Sequence, residues 1–80
     1  MKIHDGEYSF TRGSDVVRDG MYLEADRVGG AERKTVAEVF YSDVTGKFSV
    51  TLFEEGVAAE LVEFMIADAR KCLPPIQGEG

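Results

Sequence analysis

Chemically versatile side chains are scarce in this chain. Cys72 is the single cysteine, so no internal disulfide can staple the fold. His4 is the single histidine, and one thiol with one imidazole makes no zinc site of the usual kind. No apolar run approaches the roughly 18 residues that mark a membrane-spanning helix. The segment Met1-Lys2-Ile3-His4-Asp5-Gly6 has no apolar stretch, so no secretory leader is expected and the cytoplasm is the expected compartment. Positive charge is also short: 9 Lys and Arg stand against 15 Asp and Glu, a net charge of −6. Basic side chains that neutralise phosphates supply most non-specific nucleic-acid affinity, so this balance disfavours such partners.

What the chain does have is the composition of an ordinary folded domain. Apolar residues make up 44% of its 80 residues and charged residues 30%, which excludes a collagen-like, low-complexity or wholly disordered chain. One compact domain over residues 1–75, followed by a disordered tail at 76–80, is the expected organisation. A domain this small buries only about 60% of the surface its unfolded chain exposes. With neither disulfide nor metal to help, self-association is the common remaining way to stabilise it.

Hydrophobic periodicity predicts four strands and then a helix. Tyr8 and Phe10 alternate with polar residues over Gly6–Arg12, and Gly13-Ser14-Asp15 reads as a break. Asp19-Gly20 signals a hairpin leading into Met21–Asp26, where Met21, Leu23 and Ala25 share a face. Val28–Glu32 is read as a loop. Thr35–Tyr41 is rich in β-branched and aromatic residues, with Ala37, Val39 and Tyr41 on one face and Val36, Glu38 and Phe40 on the other. Gly46 suits the left-handed position of the next turn, and Phe48–Leu52 forms the fourth strand.

A helix is expected from about Gly56 to Leu73. Ala58, Leu61, Val62, Met65, Ile66, Ala69, Cys72 and Leu73 recur at helical spacing. Glu54-Glu55 before it and Arg70-Lys71 at its end suit the helix dipole, and Pro74-Pro75 stops it. The expected fold class is α+β: an antiparallel four-stranded sheet (β-β-β-β-α) with one C-terminal amphipathic helix packed on one face. Phe48, Val50, Leu52, Ala37, Val39, Met21 and Leu23 are expected beneath the helix stripe.

The motifs of catalysis are missing. Gly29-Gly30 lacks a following helix and a Gly-Lys-Ser/Thr, so it reads as a hairpin loop rather than a phosphate cradle. No nucleophile elbow, kinase set or metalloprotease pair occurs. Asp15, Asp19, Asp26 and Asp43 stand at turns and strand ends without calcium-loop spacing, and Glu60 with Glu63 reads as a solvated helix face. Cys72 lies in the apolar stripe and reads as a small buried hydrophobe. No catalytic residue, cofactor or metal is therefore assigned.

The surplus is apolar. Tyr22, Val36, Phe40 and Phe53 are expected on the sheet face away from the helix, and Val57 and Phe64 off the helix stripe. These six are the candidate interaction surface. The plain alternative is scattered apolar surface of the ordinary kind. The favoured function is a small, acidic, non-enzymatic interaction or regulatory module, homodimeric or bound to another protein. One alternative is a binder of single-stranded nucleic acid. It would stack bases on Tyr8, Phe10, Tyr22, Phe40 or Phe53 and hold phosphates with Arg12, Arg18, Arg27, Arg33 and Lys34. A second is an acidic inhibitor of a basic or nucleic-acid-binding partner.

Overall fold

The computed structural model describes residues 2–3, 6–29 and 33–73. Its strands are β1 (Lys2–Ile3), β2 (Gly6–Asp15), β3 (Gly20–Val28), β4 (Lys34–Ser42) and β5 (Phe48–Leu52), and its helix is α1 (Ala59–Cys72). The sheet is an antiparallel meander in the order β1-β2-β3-β4-β5. The four long strands and the C-terminal helix form the expected α+β sandwich of two layers. The two-residue β1, which pairs with Gly6 and Glu7, is an addition to the expected set.

The helix packs chiefly on β4 and β3. Leu61, Met65, Ala69 and Leu73 are buried against Leu23, Ala25, Val36, Ala37, Val39 and Tyr8. The geometry limits what one helix can cover. Fourteen residues span about 21 Å at 1.5 Å per residue, and a helix is about 10 Å wide. Strands lie about 4.8 Å apart, so that width shelters about two of them.

Three local readings change in the structure. β2 runs through Gly13-Ser14-Asp15 instead of breaking there, because these residues pair with Tyr22, Met21 and Gly20. The hairpin loop is consequently Val16–Asp19 rather than a tight Asp19-Gly20 turn. Asp15 Oδ1 accepts the Val17 and Arg18 N–H groups, and Asp19 takes the left-handed conformation (φ 54°). The helix starts at Ala59, three residues later than the pattern suggests. Gly56 has φ 71° and Ala58 is extended, so the chain is still turning there. The left-handed turn residue Gly46 (φ 71°) stands as expected.

Gly20 is needed for close packing. A side chain there would collide with the Tyr41 carbonyl oxygen and the Phe40 ring. At Gly13 the nearest obstacle to an added Cβ would be the Tyr22 side chain, at 2.7 Å from its hydroxyl oxygen. A backbone carbonyl cannot swing away as a tyrosine can. His4, Gly30–Glu32, Pro74-Pro75 and the expected tail at 76–80 lie outside the described residues.

Gly20→Ala is expected to destabilise the fold by about 2–4 kcal/mol, as overpacking against rigid backbone does. Gly13→Ala is expected to cost about 1 kcal/mol or less. Urea unfolding of the two variants checks this; equal costs would contradict the close approach at Gly20.

Candidate functional site

The six candidate surface residues do not share one surface. Tyr22 and Phe40 are cross-strand partners on the outer face, away from the helix. Val36 is a correction: it is fully buried in the core. Ala25 pairs with Ala37 but Asp26 pairs with Thr35, so Val36 is the extra residue of a β-bulge. The bulge breaks the alternation that had assigned Val36 to the outer face. Val57 packs against the core at its margin. Phe64, 38% exposed, rests on Phe10 of β2 with ring centroids 5.1 Å apart. Phe53 follows β5 and is 54% exposed, its N–H bonded to the Val36 carbonyl.

The outer face around Phe40 is covered by the chain itself. Arg18 folds back from the hairpin loop, with its guanidinium 4.1 Å from the Phe40 ring centroid. It donates to both oxygens of Glu38, at 3.2 and 2.8 Å, and to Asp15. Glu38 is only 7% exposed, and this fork of charge-assisted bonds is what a buried carboxylate requires. Both charged partners hold Arg18 firmly protonated, and Arg18 in turn holds the Asp15 carboxyl below its usual range. Farther along the same face, Thr35 Oγ1 donates to Asp26 at 2.7 Å, and Arg33 reaches Ser9 at 2.9 Å.

The aromatics and cations of the nucleic-acid reading are dispersed. Tyr8 is in the core and Phe10 packs at its margin against Phe64 on the helix side, whereas Tyr22 and Phe40 lie on the other face. Arg27 and Lys34 hold Glu54, at 2.6 and 3.2 Å, which keeps that carboxyl below its usual range. Glu54 therefore ties the start of the helix connection to the sheet instead of complementing the helix dipole; Glu60 is the acid of the first turn. Arg70 does lie in the last turn, 5.5 Å from the Phe48 ring centroid.

The most exposed apolar strand is β5, which the six candidates include only through its neighbour Phe53. Val50 is 41% exposed and Leu52 50% exposed, although both were expected beneath the helix. They lie opposite Val39 and Ala37 on the helix side, on the strand next to the two that the helix chiefly packs against. Among the described residues no strand pairs with the outer edge of β5. Ser42 N–H donates to the Lys47 carbonyl, and Phe53 N–H to the Val36 carbonyl. Antiparallel ladders alternate, so the N–H and C=O groups of Phe48, Val50 and Leu52 point outward. The signal available in the sequence was that the last strand of a meander is an edge, and that this one carries no charge between Lys47 and Glu54.

Cys72 is half-buried, with Sγ 3.7 Å from Asp68 Oδ1. No group of His, Cys, Asp or Glu among the described residues is arranged to hold a metal ion. No described helix is long and apolar enough to cross a membrane.

Glu24 provides a pH test of the outer face. Burial pushes its carboxyl above the usual range, and the charges of Glu38 and Asp26 push it further. Ionised Glu24 thus costs the folded state stability at neutral pH, and the cost disappears as pH falls through the raised folded value. Glu24→Gln is expected to raise the urea midpoint near pH 7. The gain should shrink on acidification and vanish below about pH 4, where wild-type Glu24 is protonated folded and unfolded. A gain equal at both pH values would contradict the assigned cause. The chain matches no protein-family model, no curated protein and no solved structure.

Proposed function

We propose that this chain is a small non-enzymatic protein-interaction module whose contact strand is β5. The observation that carries this reading is the coincidence of exposed Val50, Leu52 and Phe53 with a backbone edge to which no described strand pairs. Each property has a cost in a free protein. An unpaired edge invites other strands, and an apolar flank invites burial. Folded proteins usually blunt such an edge with a charge or proline; β5 carries neither. Strand addition uses both properties at once: main-chain bonds supply affinity and alternate side chains supply selectivity.

Protein partners suit this surface better than nucleic acid does. Arg18, Arg27, Arg33 and Lys34 are engaged with carboxylates, and the exposed aromatics do not form a stacking platform. The net charge of −6 points the same way.

The test is affinity capture from the native lysate with wild-type and Val50→Lys/Leu52→Lys baits of equal folded content. A partner held by wild type should fall by roughly tenfold or more with the doubly charged variant, as when the centre of an interface is disrupted. Identical recoveries with both baits would contradict β5 as the contact strand.

A further inference from the structure

We infer that the occupant of the β5 edge is the β5 strand of a second copy, paired antiparallel about a two-fold axis through Val50. This rests on the interaction reading above and names its partner.

Three observations favour a second copy. The first is register. The outward-facing residues are Phe48, Val50 and Leu52, symmetric about Val50. In an antiparallel pair centred there, Val50 faces its own counterpart and Phe48 faces Leu52 of the second copy. Every outward N–H then meets an outward C=O. Because these residues share the helix side, their apolar side chains meet side by side in one continuous sheet. An isologous two-fold contact needs this self-complementarity.

The second observation is charge. Lys47 precedes β5, while Glu54 and Glu55 follow Phe53 at its other end. Antiparallel pairing brings Lys47 of each copy to the acidic end of the other. Parallel pairing would place like charges together at both ends. Glu54 already holds Arg27 and Lys34, so Glu55, which is exposed, is the carboxylate toward which Lys47 of the second copy would reach.

The third observation is the contrast with the opposite edge of the sheet. There β1 covers Gly6 and Glu7, and the remainder of β2 carries exposed Arg12 and ends on Asp15. That edge has the charges that discourage pairing; β5 lacks them. The inferred contact therefore closes into a dimer and does not propagate into a fibre.

The test follows residue-specific amide exchange of the full wild-type chain by NMR, with mass from light scattering, from micromolar to near-millimolar concentration. The mass should double with concentration. Amides of Phe48, Val50 and Leu52 should exchange roughly tenfold or more slowly in the dimer, while Ser49 and Thr51, bonded to β4, stay protected throughout. Val50→Lys should remain folded by circular dichroism and stay monomeric. A monomer at every concentration overturns the second copy as partner and leaves the interaction reading to the capture test. A dimer whose three outward amides still exchange freely overturns the strand pairing itself.

Discussion

One helix is narrower than the sheet it must cover. Four long strands present apolar positions toward the helix side, and α1 shelters about the width of two. The core consequently sits over β3 and β4, where Leu23, Ala25, Ala37 and Val39 meet Leu61, Met65 and Ala69. The flanking strands are treated unequally. β2 receives Phe64 against Phe10 and keeps Tyr8 buried. β5 receives Arg70 over Phe48 at its first residue, while Val50 and Leu52 remain exposed.

Among the described residues no second helix covers the outer face, and side chains limit its exposure instead. Arg18 serves as a lid over Phe40 and as counter-ion to Glu38 at once. Its aromatic contact and its bonds reinforce one another, because a planar guanidinium can stack while its edge donates. The bound carboxylates also occupy this arginine, so its charge serves the fold. Arg27 and Lys34 do the same for Glu54, which anchors the connection from β5 to α1. Much of the positive charge in an acidic chain is thus spent inside the molecule. The surface left exposed along β5 is an apolar flank rather than a charged patch.

The fold class was legible because it depends on period and order. Alternation marked the strands, a helical stripe marked α1, and Leu61, Met65, Ala69 and Leu73 are the buried members of that stripe. The candidate surface was less legible for three physical reasons. Val36 lies at a bulge, a feature of strand pairing that simple alternation does not encode. Val50 and Leu52 have the same alternation as Val39, yet burial depends on which strand lies beneath the helix. Arg18 finds Glu38 twenty residues away, a contact that exists only after the hairpin has closed. Local period placed Leu61, Met65, Ala69 and Leu73 correctly and left Cys72 half-buried at the margin, whereas strand pairing and lateral position decided Val36, Val50 and Leu52.

The uncovered β5 flank is the central claim, and thiol labelling measures it most directly. Val50→Cys and Val39→Cys, each made with Cys72→Ser, face each other across β4 and β5. At dilute concentration the thiol at position 50 should react with an aromatic disulfide reagent near the rate of an unstructured peptide. The thiol at position 39, beneath the helix, should react only as fast as the protein opens. Equal protection at both positions would show that β5 is covered and would contradict the account.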